Sequence, residues 1–195
     1  EQFASTVVAT ENLLDCIDWS ALKRFVLVST FSVYDYSARG SQLDEGHPIE
    51  QEPARRDAYT WTKLLQEEAV TAACAQHDVP LVSMRPGAIY ARGKDWNSGA
   101  ALRTRRFDLI FSPLAHMRLT HVDNCADAIV RAVESDTANG AYNIVDDEDP
   151  SYAGFHRSCR NAGLTVRRAI YVPWWTVALS GSIVRLINSA FLGKR

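Results

Sequence analysis

The chain has 195 residues, 47% of them hydrophobic and 23% charged, and its 21 Lys+Arg against 23 Asp+Glu leave a formal net charge of -2. This composition excludes a disordered chain and suits one domain of ordinary size, or one and a part. With no basic excess it argues against nucleic-acid binding.

Cys16, Cys74, Cys125 and Cys159 are far apart and form no CxxC pair. That argues against a structural zinc site or a disulfide framework, and for reduced thiols in a cytoplasm. The longest apolar run, Ile170 to Val184, is broken by Pro173 and Gly181. It falls short of the ~18–20 residues of a membrane span, so no stable membrane insertion is expected. The start, EQFASTVVAT, has no basic n-region of a signal peptide and opens on Glu1 rather than Met, so the chain reads as a fragment or a processed product.

In chain order, Ser5 to Ile17 has helical spacing through Val7, Val8, Leu13, Leu14 and Ile17. Leu22 to Ser29 reads as a strand whose unbroken run Phe25 to Val28 fits a parallel strand covered on both faces. Tyr36 to Arg56, with Gly40, Gly46, Pro48 and Pro53, reads as a long loop of functional character. Asp57 to Gln76 reads as a helix with Asp57 as N-cap. Val79 to Met84 is a second buried strand, ending at Arg85-Pro86-Gly87. Asp95 to Ser112 is expected to be a loop and a helix. Asp123 to Glu134 is expected to be a helix opened by Asp123, and Ala141 to Val145 a short strand. Ser151 to Ala162 and Trp174 to Ile187 look helical, with the strand-like Arg168 to Val172 between them. Alternating strands and helices imply βα units and a mostly parallel sheet.

In open α/β sheets ligands bind beyond the carboxyl ends of the strands. One strand here ends at Ser29-Thr30, followed by Phe31-Ser32-Val33-Tyr34, and another at Arg85-Pro86-Gly87. Between them Tyr59 and Lys63 stand at i and i+4 on one helical face. A phenol titrates near ~10 and is a poor base at neutral pH. A neighbouring ammonium favours the phenolate. Lys63 can thus make Tyr59 a proton acceptor for an alcohol, with Thr30 hydrogen-bonding the same oxygen. Loss of that proton together with a hydride is alcohol oxidation, for which a nicotinamide is the usual acceptor.

These segments together resemble the extended short-chain dehydrogenase/reductase family, the NAD-dependent epimerase/dehydratase group. The resemblance rests on ATENLLDCI (Ala9 to Ile17), KRFVLVSTFSVY (Lys23 to Tyr34), YTWTK (Tyr59 to Lys63), RPGAIYARG (Arg85 to Gly93), THVDNCADAI (Thr120 to Ile129) and GAYNIVDD (Gly140 to Asp147), in the family's order. It implies the C-terminal portion of a Rossmann-type, doubly wound parallel α/β sheet. The domain reading is a partial NAD(P)-binding domain over 1–147, with interleaved substrate-binding segments, and a small substrate region over 148–195. It implies Thr30, Tyr59 and Lys63 as catalytic residues, Tyr59 and Lys63 also as cofactor contacts with Lys63 gripping the nicotinamide ribose, and Ser29, Pro86 and Gly87 lining the nicotinamide pocket. The implied cofactor is NAD or NADP. Homodimerisation is also implied, since helices such as Asp57 to Gln76 pair across subunits in this family.

The chain departs from the family pattern at several points. No Gly-rich turn for a pyrophosphate occurs, and the first glycine is Gly40. The expectation is that roughly 60–80 residues of a first βαβ unit are absent, and that the chain alone binds NAD poorly or not at all and is prone to instability. Where dehydratases carry an acidic pair after the catalytic Thr, this chain has Phe31 and Ser32, which disfavours a 4,6-dehydratase. Where many sugar-nucleotide epimerases have an Asn at the substrate diphosphate, it has Ala88. Asp35 and Ala91-Arg92 replace the family's Gly and Gly-Pro. Ser32, Ala88 and Arg118 are the candidate substrate contacts, Arg118 as a partner for a diphosphate. His116, His121 and Asp123 are not read as a metal site, since His121-Val122-Asp123 matches a structural segment of the family that opens a helix. Trp174-Trp175 is read as core or partner interface rather than membrane contact.

The expected function is a cytoplasmic NAD(P)-dependent epimerase acting on a nucleoside-diphosphate sugar through a keto intermediate. A dehydrogenase of 3β-hydroxysteroid type is the alternative, suggested by Ala88, Phe31 and the aromatic Tyr171 to Trp175. A non-catalytic nucleotide-binding protein on the same fold is a third reading, which the intact Thr30, Tyr59 and Lys63 oppose.

Overall fold

The computed structural model describes residues 2–37, 43–94, 102–164, 167–173 and 175–176. The chain divides into two compact units, one of Glu1–Ile89 with Thr120–Asp146, the other of Tyr90–Leu119 with Asp147–Arg195.

The first unit is built on a parallel sheet of three strands, β1 (Phe25–Val28), β2 (Leu81–Pro86) and β7 (Gly140–Ile144), in the order β1-β2-β7. Phe25 pairs with Leu81 and Val28 with Met84; on the other side of β2, Val82 pairs with Gly140 and Pro86 with Ile144. Parallel neighbours need crossovers. Helix α2 (Ala58–Gln76) joins β1 to β2, and helix α3 (Val122–Glu134) precedes β7. Side chains alternate across a strand, and the core follows that alternation. On one face Leu27 packs with Val70 and Cys74 of α2, joined by Leu14, Trp19, Phe25 and Leu81. On the other, Val82 and Met84 pack with Ala132 of α3, joined by Val26, Ala128, Ile129 and Ile144. The sheet is therefore the middle of three layers. Coverage of β1 is less complete than its apolar run suggests, since Val28 is 38% exposed.

The N-terminal helix begins as a π-turn (Ala4–Val8) and continues as α1 (Ala9–Cys16). Helix α2 starts at Asp57, whose carboxylate accepts from the Thr60 N–H at 3.1 Å and the Thr60 hydroxyl at 2.8 Å. The expected Asp123 cap is corrected: Asp123 lies inside the first turn of α3, and the cap is His121, whose Nδ1 accepts from the Asp123 N–H. An acid one position inside a helix still favours its positive end, which is why Asp123 resembled a start signal.

In the second unit β4 (Leu102–Arg103) runs antiparallel to β5 (Phe107–Phe111), and β5 runs parallel to β8 (Arg168–Val172). Short strands β3 (Ala88–Tyr90) and β6 (Leu119–His121) lie where the chain passes between the units. Helix α4 (Tyr152–Asn161) is capped by Ser151. The helix expected within Asp95 to Ser112 is corrected, since the described part of that segment is the hairpin β4-β5. The arginines at 103, 105 and 106 and the acid inside FDLIF hid the alternation: Asp108 and Ile110 point into the core, and Asp108 is fully buried. The helix expected over Trp174 to Ile187 lies outside the described residues except at its start, where Trp175 is 59% exposed. Among the described residues no helix is long and apolar enough to cross a membrane, and all four cysteines are free thiols.

Candidate active site

The site forms at the carboxyl end of β1. Beyond Val28 the chain leaves the sheet through Ser29 and Thr30, both buried, into a 3₁₀ turn, Phe31–Val33, against which α2 packs. The Thr30 side chain caps that turn: its oxygen accepts from the Ser32 N–H at 3.3 Å, and its hydroxyl donates to Ser32 Oγ at 3.4 Å. Ser32 is half-buried in the same turn. The backbone that follows is tied to the long loop. Asp35 N–H donates to Pro48 O, Glu50 N–H donates to Val33 O, and the Arg56 guanidinium bridges Ser32 O, Tyr34 O and Glu50.

Helix α2 brings Tyr59 and Lys63 to this end of the sheet. Tyr59 is 44% exposed. Lys63 is half-buried, and its ammonium donates to Val28 O at 2.8 Å and to Gln66 Oε1 at 2.6 Å. Burial pulls its pKa below the ordinary lysine value, and the Glu67 carboxylate opposes that shift.

A second polar network lies one turn further along α2. The Ser29 hydroxyl donates to Glu67 at 2.5 Å, and Glu67 pairs with the Arg85 guanidinium. Arg85 is 6% exposed; it donates to the Tyr34 hydroxyl at 3.1 Å and stacks over the Tyr34 ring at 4.9 Å. Tyr34 in turn donates to Asn143 Oδ1 at 2.8 Å. These contacts join β1, α2, β2 and β7 around the residue that precedes Thr30. The i, i+4 spacing of Lys63 and Glu67 was the only trace of them in the sequence. Nothing there joined Glu67 to Ser29 or Arg85 to Tyr34.

The other candidates fall as follows. Pro86 is buried at the end of β2, and the Gly87 N–H is engaged by Ile144 O at 3.1 Å and Thr120 Oγ1 at 3.0 Å. Ala88 opens β3. Arg118 belongs to the second unit, where it donates to Asp149 at 2.6 Å. Phe31 is 8% exposed and packs edge-on against Tyr34 at 5.6 Å. A cavity of about 340 Å³ lies between α3 and β7, lined by residues such as Met84, Arg131, Tyr142 and Ile144; it includes none of Thr30, Tyr59 or Lys63.

Chemically, the mouth of β1 offers an exposed phenol, an ammonium held by two neutral oxygens, and a threonine hydroxyl. An ammonium has three N–H donors, so among the described residues one beyond those given to Val28 and Gln66 remains for a ligand. That donor set fits the ribose and nicotinamide portion of a dinucleotide.

The model of the NAD dependent epimerase/dehydratase family matches residues 1–145. A UDP-glucose 4-epimerase of Vibrio cholerae is 24% identical over 185 residues, which is 92% of this chain and 54% of the relative. The chain thus spans about half the length of the curated relative it matches. Among solved structures, the Thermus thermophilus UDP-glucose 4-epimerase in complex with NAD superposes with a TM-score of 0.67 at 17% identity, covering 88% of this chain and 58% of that one. The Bacillus anthracis dTDP-glucose 4,6-dehydratase in complex with NAD gives a TM-score of 0.67 at 18% identity, over 88% of this chain and 56% of that one. At such identities the likeness shows the fold, a Rossmann-type α/β architecture.

Proposed function

The chain belongs to the NAD dependent epimerase/dehydratase family, and from that premise we propose that it carries the proton-transfer half of an NAD(P)-dependent epimerase acting on a nucleoside-diphosphate sugar. The observation that carries the reading is the ammonium of Lys63, half-buried at the carboxyl end of β1 on the same helical face as the exposed phenol of Tyr59. Tyr59 accepts the proton of a sugar hydroxyl, and Lys63 favours the phenolate that does so. Thr30 orients the same oxygen. Ser29, Tyr59, Lys63, Pro86 and Gly87 hold the nicotinamide portion, and Ser32 and Ala88 are the proposed substrate contacts of the first unit; Arg118, in the second unit, is proposed separately as a diphosphate contact. A bound nicotinamide supplies the hydride acceptance that makes proton removal an oxidation, and its return of hydride restores the cofactor.

The relatives named for 4-epimerase activity on UDP-glucose suggest the substrate class. Phe31 and Ser32 stand where an acid would be needed to expel water, which favours epimerisation over dehydration. The test is interconversion of UDP-glucose and UDP-galactose with NAD present, by the chain joined to a Gly-rich first βαβ unit of the family and by the Tyr59→Phe variant of that protein. The substitution removes the proton acceptor while keeping the ring, and turnover is expected to fall by about 10²–10⁴-fold. Turnover unchanged in Tyr59→Phe overturns the mechanism.

A further inference from the structure

The amide of Gln66 stands between Lys63 and the N-terminal helix. Its NH₂ donates to Thr10 Oγ1 at 2.8 Å, and its oxygen receives the Lys63 ammonium at 2.6 Å. The direction of that amide is determined by its partners. The Thr10 hydroxyl proton is committed to Thr6 O at 2.7 Å, so toward Gln66 the Thr10 oxygen can only accept. An ammonium can only donate, so the other end of the amide must present its oxygen. Thr10 is 7% exposed, which keeps water from competing for this contact.

We propose that Gln66, backed by Thr10, is a positioning residue for Lys63: it fixes the ammonium against the last carbonyl of β1 without neutralising its charge. The proposal rests on the role given to Lys63 above. A carboxylate at this position would form an ion pair with Lys63 and blunt its field toward the neighbouring phenol. A neutral acceptor holds the ammonium in place and leaves that field intact. The groups around Lys63 are consistent with this division of work. Helix α2 contributes Tyr59 one turn before and Glu67 one turn after, the latter already bound to Ser29 and to Arg85 of β2. Strand β1 contributes only the neutral Val28 carbonyl, and α1 contributes the neutral Thr10 through Gln66. Burial disfavours the ammonium and the Glu67 carboxylate opposes that; hydrogen bonds to the charged form favour it, so the contacts to Gln66 and Val28 are expected to work in the same direction as Glu67.

The experiment is a pH titration of the lysine side chains of the 195-residue chain by NMR, Lys63 being distinguished from Lys23, Lys94 and Lys194 by single Lys→Arg variants. Gln66→Leu is expected to shift the Lys63 midpoint down and Gln66→Glu to shift it up. Thr10→Val, which leaves Gln66 in place but unanchored, is expected to shift it down by less than Gln66→Leu. Thermal unfolding of each variant is followed in parallel. A lowered melting temperature with a Lys63 midpoint unchanged in Gln66→Leu overturns the proposal, since that is what a merely structural glutamine would do. If Gln66→Leu does not fold, the same comparison is read from Thr10→Val and Gln66→Glu, and an unmoved midpoint in both is likewise fatal. A midpoint that moves as expected, in a protein that turns over no nucleotide sugar, supports the positioning and counts against the reaction alone.

Discussion

Lys63 is held in its ammonium form at some expense to the fold. Its burial favours the neutral amine, so its folded pKa lies below the unfolded value. The unfolded chain then binds the proton more tightly, and stability rises with pH from the folded pKa up to the unfolded one. Lys63→Met removes this dependence. In urea unfolding, the wild type is therefore expected to gain stability relative to Lys63→Met as the pH moves from neutral into the alkaline range; a constant difference would show that burial does not bear on this group. At this scale the sequence disclosed the residues with fixed local spacing. Tyr59 and Lys63 share a helical face because i and i+4 must, and Thr30 follows the strand that places it. It did not disclose Gln66 beside Thr10, or Arg85 beside Tyr34. Those partners are separated by 56 and 51 residues, and only the packed sheet brings them together.

The elements differ in how openly their signals were written. Asp57 before the run Ala58–Gln76 reads as a cap and is one, its carboxylate held below the ordinary range first by the Thr60 backbone N–H. A depressed folded pKa means that this stabilisation is complete above the unfolded pKa and is lost as the pH falls through the folded one. Asp57→Ala is expected to destabilise the protein by about 1 kcal/mol at neutral pH, with the difference from wild type vanishing in acid. Calorimetry across that range checks both parts. His121 gave no such signal, because an imidazole is an uncommon cap and Asp123 beside it is a common one. The strand β5 was obscured for a different reason. Strand alternation is read from apolar residues, and here one inward position is the carboxylate of Asp108, whose partners are the nearby Arg103 of β4 and the distant His156 and Arg167.

Across the whole molecule the two units are stabilised by different means. The first is layered on apolar side chains on both faces of a parallel sheet. The second contains a fully buried Asp108 that faces His156 at 3.5 Å, Arg103 at 3.5 Å and Arg167 at 4.0 Å, and accepts the Arg167 backbone N–H at 3.1 Å. Removing one member of a buried polar cluster strands the rest. Asp108→Ala is therefore expected to cost about 3–5 kcal/mol, seen as lost amide-exchange protection along β5 and β8; unchanged protection would mean that the carboxylate is dispensable there.

The first unit has a further property, set by where Lys63 reaches. Phe25 sends its N–H to Pro80 and Ser29 to Met84 of β2, so by the alternation of a parallel ladder Val28 turns its carbonyl away from β2. The Lys63 ammonium meets that carbonyl at 2.8 Å. It thereby satisfies a backbone acceptor that β2 cannot reach. The lysine assigned to chemistry thus also ties off the final rung of the strand that delivers Thr30.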